Sequence, residues 1–99
     1  MPSPLIWPIT TQTPTSVAVE IVSTLVLAAN PSRRSAVFVN DSNKPIYLSL
    51  GATAVLNQGI MLPTAGNRKF EINDSNLYLG VVNAIAEGGA KNLTVTEGT

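Results

Sequence analysis

Residues 35–51 read SAVFVNDSNKPIYLSLG, and this stretch decides the fold. Two runs of apolar residues, Ser35–Val39 and Ile46–Leu50, flank a polar turn that begins at Asn40, and Gly51 closes the second run. β-branched and aromatic residues with a period of two are typical of half-buried strands, whereas Asn, Asp and Ser favour turns. The stretch therefore predicts two short β-strands joined by a turn.

The same pattern recurs at residues 70–80, which read FEINDSNLYLG. Both copies contain a strand, an Asn-Asp-Ser-Asn turn and a strand with a tyrosine, followed by glycine. Asx side chains bond their own backbone two residues further on, so the tetrapeptide predicts tight turns at residues 40–43 and 73–76. A calcium loop is the alternative, but each turn supplies one carboxylate and such a site needs more.

Other segments also alternate with a period of two, and no segment has a convincing helical period. Further strands are predicted at residues 16–27, 55–62, 68–72, 77–86 and 93–96, with a hairpin turn at 87–90. Seven or eight short strands at this spacing predict an all-β domain. Its architecture is a small antiparallel β-sandwich, jelly-roll-like or immunoglobulin-like, or a barrel.

The alternation also predicts which side chains face the core. A bulge near Gly80 would exchange the two faces of the 77–86 strand, because a shift of one residue reverses every side chain. The predicted core consists of Val17, Val19, Ile21, Phe38, Ile46, Leu48, Phe70, Leu79, Val81, Ile85, Leu93 and Val95.

Residues 1–15 differ from the remaining chain, 16–99, which we interpret as a single β-domain. Four prolines in this segment disfavour helix and central strand, so we predict an extended N-terminal arm. The arm carries large apolar side chains that a disordered tail normally lacks. It either docks on another chain or folds back on its own domain. Its candidate anchors are Leu5, Ile6, Trp7 and Ile9.

Charge is scarce and balanced in this chain of 99 residues. Lys and Arg number six, Asp and Glu number six, and charged residues make up 12% of the chain, while 44% is hydrophobic. A soluble domain usually contains about 25% charged residues. A neutral surface with few charges is poorly protected against association. We therefore expect the isolated chain to be an oligomer, with part of its surface covered by neighbours.

The residue types that support most enzymatic chemistry are missing. The chain has no histidine and no cysteine, which excludes the common zinc sites and Cys or Ser–His nucleophiles. Its carboxylates are expected in turns and on a polar strand face, where solvation is the default. We predict no enzymatic activity, no catalytic residues, no cofactor and no metal.

Two basic pairs, Arg33-Arg34 and Arg68-Lys69, follow predicted turns. They could be solvated, touch phosphates or bind acidic groups of a partner protein, and Arg33 and Arg34 are candidate partner-binding residues. A neutral chain without a basic stripe gives little support to nucleic-acid binding. No apolar run approaches a membrane span, and the first residues lack the basic region of a signal peptide. We expect neither nucleic acid nor membrane as a partner.

Several motifs carry a resemblance to known proteins. They are NPSRRSAVFVN at 30–40, PIYLSLG at 45–51, GIMLP at 59–63, AIA at 84–86 and LTVTEG at 93–98. Together they resemble small all-β proteins encoded in the structural gene regions of tailed bacteriophages, over residues 25–98. The motifs are structural in character and identify the domain better than its function.

The resemblance implies a virion protein, and capsid decoration (cement) proteins fit best. Such a protein is made in the bacterial cytoplasm, binds the major capsid protein on the outside of the capsid and stabilises it. Proteins of this kind are often trimers, so we expect a homotrimer first and a dimer second. The alternatives are a receptor- or glycan-binding module of a tail fibre and a head-completion or tail structural protein. Trp7 is the only aromatic outside the predicted strands, which argues against glycan binding.

Overall fold

A computed structural model describes residues 9–99. These residues form eight β-strands and no helix, which confirms the all-β class. The strands are β1 (Gln12–Val19), β2 (Thr24–Leu27), β3 (Ser35–Asn40), β4 (Ile46–Leu50), β5 (Ile60–Leu62), β6 (Lys69–Ile72), β7 (Val82–Ala86) and β8 (Lys91–Gly98).

The strands form two antiparallel four-stranded sheets. The strand order is β1-β8-β3-β6 in the first sheet and β2-β7-β4-β5 in the second. Consecutive strands lie in different sheets, except for β4 and β5, which pair with each other. This winding of eight strands is that of a jelly roll. The predicted β-sandwich is therefore confirmed, in its jelly-roll form.

The core lies between the two sheets and is built from alternate residues of the strands. Phe38 on β3 is fully buried and lies opposite Phe70 on β6, with ring centroids 6.3 Å apart. The predicted core residues Val19, Phe38, Ile46, Leu48, Ile85, Leu93 and Val95 are buried. Val17 and Phe70 are partly buried and pack against the core. Alternation thus identified only part of the interior, because the buried residues Val26, Ala36, Leu62, Ile72, Val82, Ala84 and Ala86 were not predicted.

Ile21 was wrongly assigned to the core. Its side chain is 64% exposed, because β1 ends at Val19 and residues 20–23 turn towards β2. The hydroxyl of Thr24 accepts a hydrogen bond from the Glu20 N–H (3.1 Å) and stabilises this turn. The apolar alternation continues past the end of the strand, so the sequence pattern does not mark the turn.

The predicted strand at 77–86 is shorter than expected. β7 begins at Val82, and Leu79 lies at the surface ahead of it, so Leu79 was also wrongly assigned to the core. Within β7, Val82, Ala84 and Ala86 face the core. Ile85 is buried on the opposite face of the sheet, in a second cluster. Val81, another predicted core residue, is half-buried before the strand begins.

The predicted hairpin at 87–90 is also wrong. β7 and β8 belong to different sheets, so these residues carry the chain from one sheet to the other. The Glu20 carboxylate accepts the Ala90 N–H (3.2 Å), and Ala90 has a positive φ of 55°. Two adjacent glycines permit either kind of turn, and only the packing of the sheets decides between them.

β1 begins at Gln12, inside the segment that we interpreted as the arm. Residues 12–15 pair with β8, in a register that runs without a break from Gln12 opposite Gly98 to Val19 opposite Lys91. Pro14 is tolerated because β1 is the edge strand of its sheet, where a missing N–H can face outward.

The two Asn-Asp-Ser-Asn tetrapeptides both reverse the chain, but they are bonded differently. The Asn73 side-chain oxygen accepts the Ser75 N–H (2.8 Å), which is an Asx turn. Asn40 is completely buried, and its amide group donates to the carbonyl oxygens of Lys44 (2.9 Å) and Leu62 (2.8 Å). The first turn therefore also joins the start of β4 to the end of β5.

This difference predicts unequal effects on stability. We expect Asn40→Ala to lower the free energy of unfolding by about 2–3 kcal/mol, because it removes a fully buried side chain and its hydrogen bond to the buried Leu62 carbonyl oxygen. Asn73→Ala, the matched change in the second turn, should cost about 1 kcal/mol or less, since its bonds are near solvent. Urea unfolding followed by fluorescence measures both. Equal losses would contradict the central position assigned to Asn40.

Candidate attachment surface

The charged residues are distributed unevenly between the two sheets. The strands of the second sheet, β2, β7, β4 and β5, come from the segments 21–32, 45–67 and 75–86. These segments, including their loops, contain no Lys, Arg, Asp or Glu. In the first sheet, β6 and β8 each contain a lysine and a glutamate. One side of the sandwich is therefore built entirely from uncharged residues.

The loop that joins β4 and β5, residues 51–59, covers the outer face of this uncharged sheet. Tyr47 on β4 and Ile85 on β7 point away from the main core, and Ala54 of the loop buries them in a second apolar cluster. Burial of these side chains explains why a long connection between two adjacent strands stays on the sheet rather than extending into solvent.

Hydrogen bonds hold this loop at several points. The Ala54 N–H donates to the Ser23 hydroxyl (2.9 Å), the Tyr47 hydroxyl donates to the Asn57 side-chain oxygen (3.0 Å), and the Asn83 amide donates to the Ala52 carbonyl oxygen (2.9 Å). The loop is therefore pre-organised, and it loses little conformational freedom when a partner binds.

Gly59 brings the loop back into β5. It has a φ of 90°, and a Cβ atom at this position would clash with the Leu48 carbonyl oxygen. Only glycine avoids both the backbone strain and this contact. The close approach places Met61 opposite Tyr47, next to the loop.

Large aliphatic side chains are exposed around this loop. Met61 is 50% exposed on β5, and Leu25 is 55% exposed on β2, opposite Asn83. Ile21 and Val22 precede Ser23, which bonds the loop, and Val55 and Leu56 follow Ala54 within it. We call these six residues the attachment surface: Ile21, Val22, Leu25, Val55, Leu56 and Met61. Large apolar side chains exposed on one side of a domain are candidates for an interaction site.

The outer face of the other sheet has a different chemistry. Thr94 and Thr96 of β8 lie opposite Val39 and Val37 of β3 there, and exposed Lys69 and Glu71 lie on the edge strand β6. Such a mixed, polar face is typical of solvent-exposed sheet surface. The contrast distinguishes the attachment surface from the opposite side of the same molecule.

Three of the predicted partner-binding residues lie outside the described residues, namely Leu5, Ile6 and Trp7. The other three meet at the end of β8. Ile9 is half-buried and its methyl groups lie over Gly98, whose carbonyl oxygen accepts the N–H of exposed Arg34 (2.8 Å). These residues lie near the chain terminus and not on the attachment surface.

Arg33 lies inside the protein, which corrects its assignment as a surface residue. It is 2% exposed, and its guanidinium forms a 2.8 Å ion pair with Glu97. The same group donates to the carbonyl oxygens of Tyr78 (2.8 Å), Gly80 (3.0 Å) and Ala28 (2.6 Å). Its position gives it a structural role, joining β8 to the connections on either side.

Comparison with protein-family models, with curated proteins and with solved structures found no match. Within residues 9–99, no three carboxylate side chains lie close enough together to hold a metal ion, and no helix could cross a membrane.

Sequence reasoning missed the attachment surface. Ile21 was assigned to the core, and Val22, Leu25, Val55, Leu56 and Met61 were not singled out as binding residues. The sequence feature that indicates this surface is the absence of charged residues from three separate segments, 21–32, 45–67 and 75–86. Its meaning depends on the topology, because only the fold brings these segments into one sheet.

Proposed function

We propose that this protein is a structural, non-enzymatic virion component that binds the outside of a tailed-phage capsid and stabilises it. The observation that carries the proposal is the uncharged sheet β2-β7-β4-β5 with its pre-organised, aliphatic attachment surface. The major capsid protein is the partner of that surface. The bacteriophage context rests on the sequence resemblance, and the jelly roll adds only an analogy, since this fold serves viral capsid proteins and lectins alike.

The size of the attachment surface determines what kind of binding it supports. Full burial of a large aliphatic side chain contributes roughly 1.5–3 kcal/mol, so a half-exposed one contributes about 1 kcal/mol. Association itself costs roughly 4–15 kcal/mol in lost freedom of motion. Six such residues therefore give weak attachment for a single chain. Strong attachment requires several linked contacts, which a homo-oligomer or the predicted arm anchors Leu5, Ile6 and Trp7 would supply.

The aromatic residues favour this proposal over a glycan-binding module. Phe38 and Tyr47 are buried, and Phe70 and Tyr78 are half-buried. The Tyr78 hydroxyl donates to the Val81 carbonyl oxygen (2.9 Å), so its polar end is already bonded. Sugar-binding sites present open aromatic faces beside polar groups, and none of these four residues offers one.

The number of copies in the virion tests the proposed function. A decoration protein covers the capsid lattice, so we expect a copy number comparable with that of the major capsid protein. Quantitative mass spectrometry of purified virions, calibrated with labelled peptides from both proteins, measures this ratio. A copy number as low as that of a single tail or connector ring would contradict the proposal and favour a tail or head-completion protein.

A further inference from the structure

Both sheets end in edge strands, and three of the four are protected against pairing with other chains. β5 has three residues, and β2 has four with an irregular register between Leu25 and Leu27. β6 has four residues and exposes Lys69 and Glu71. Short length, irregularity, charge and proline are the usual means by which proteins prevent edge-to-edge association.

β1 has only one such protection, Pro14. It has eight residues, contains no charged side chain and pairs with β8 in an unbroken register. Its residues from Gln12 to Ser16 are all exposed, so neither face of this half of the strand is covered by the other sheet. Pro14 is its single interruption. A long, regular and uncharged edge of this kind is a template for another strand.

The hydrogen-bond pattern identifies which backbone groups of β1 lie on the edge that has no partner strand within residues 9–99. Thr11 and Thr99 exchange two backbone hydrogen bonds directly before the β1–β8 register begins. The Thr11 N–H donates to the Thr99 carbonyl oxygen (N···O 3.3 Å), and the Thr99 N–H donates to the Thr11 carbonyl oxygen (N···O 2.9 Å). In an antiparallel pair, bonded and non-bonded residues alternate. The backbone groups of Gln12, Pro14, Ser16 and Ala18 therefore point away from β8. Because proline has no N–H, this edge offers donors at Gln12, Ser16 and Ala18.

We propose that β1 pairs with β1 of a second copy of this chain, antiparallel about a two-fold axis at Thr15. In this register Gln12 lies opposite Ala18 of the second copy, and Pro14 lies opposite Ser16. Every outward N–H then meets a carbonyl oxygen, and the only bonds lost are those that Pro14 cannot donate. The pairing joins the two four-stranded sheets into one continuous sheet across the dimer.

A second copy of this chain fits this edge for two reasons. The matching strand must be long, regular and uncharged, and β1 meets these requirements itself. An interface about a two-fold axis places identical surfaces against each other, and uncharged strands do so without repulsion. The proposal goes beyond the proposed function, and of the two oligomers expected from the sequence it selects the dimer.

Ser16→Pro tests the proposal, with Ser16→Ala as the matched control. Ser16 is exposed and its N–H points away from β8, so the proline removes no bond within the chain. Sedimentation equilibrium at micromolar concentration should give about twice the 10.4 kDa chain mass for the unmodified protein and for Ser16→Ala. Ser16→Pro should sediment at 10.4 kDa, with an unchanged circular dichroism spectrum.

Amide hydrogen exchange of the unmodified protein gives a second readout, which does not depend on whether Ser16→Pro folds. The amides of Ser16 and Ala18 should exchange slowly at high protein concentration and quickly after dilution below the dissociation constant. A monomer at all concentrations, a trimer mass, or fast exchange at both amides within an oligomer would each overturn the proposal. The proposed attachment surface lies on the other sheet, so its contact with the capsid is tested separately.

Discussion

Arg33→Ala is expected to lower the free energy of unfolding by about 3–5 kcal/mol, a large part of the total stability of a small domain. The guanidinium is fully buried and pairs with Glu97, whose side chain is 20% exposed. Its removal leaves that carboxylate without its partner and the carbonyl oxygens of Ala28, Tyr78 and Gly80 without this donor. The three segments that meet at this end of the sandwich would then lose their common connection.

Urea unfolding measures this loss, and Arg34→Ala is the control. Arg34 is adjacent in sequence and carries the same charge, but it is exposed. An exposed charged residue contributes little to stability, so we expect a change of about 1 kcal/mol or less. Arg33→Lys should recover only part of the stability, because an ammonium group cannot reproduce the planar set of donors. Equal losses for Arg33→Ala and Arg34→Ala would contradict the structural role of Arg33.

The second large effect concerns capsid attachment. We expect Val55→Asp and Met61→Asp each to weaken binding to undecorated capsids by about 100-fold or more, since each places an unpaired charge in an apolar interface. Both side chains are exposed in the free protein, so folding should be unaffected. Co-sedimentation of labelled protein with capsids, over a range of concentrations, measures the affinity.

Lys69→Asp is the control for this experiment. It introduces the same side chain at an exposed position of β6, in the other sheet. We expect its capsid affinity to remain within about threefold of the unmodified protein, because a charge outside an interface changes affinity little. If Lys69→Asp weakened binding as much as Val55→Asp, the loss would reflect the general charge of the protein. The attachment surface would then be placed wrongly.

The strands themselves could be predicted from the sequence because their pattern is local. Ile46–Leu50 was predicted with the bounds that the structure has, and β3 extends one residue beyond its predicted end. The sequence could not predict which side chains of residues 77–86 point into the core, because this depends on where β7 begins to pair with β4 and β2. Pairing partners are distant in sequence, so a single-sequence pattern does not contain them.

The sequence predicted a sandwich or barrel of short strands, but not which strands belong to which sheet. Glu87–Ala90 has the composition of a hairpin turn, yet it crosses between the sheets. Local turn chemistry permits both outcomes. The choice depends on the burial of Ala86 and Leu93 in one core, which is a tertiary property.

The candidate site was the least predictable part. Arg33 and Arg34 are chemically identical neighbours, and in an extended segment one of them must point inward. The residue that decides between them is Glu97, far along the chain. The attachment surface depends likewise on the fold, because it combines the turn after β1 with the loop between β4 and β5.

Hydrogen exchange of the capsid-bound protein, compared with the free protein, tests the central claim most directly. If the attachment surface contacts the capsid, amides in residues 21–25 and 51–61 should exchange more slowly in the bound state, by about tenfold or more. Amides of β6 in the opposite sheet should be unaffected. Protection confined to the β1-β8-β3-β6 sheet, with no change at residues 51–61, would contradict the account.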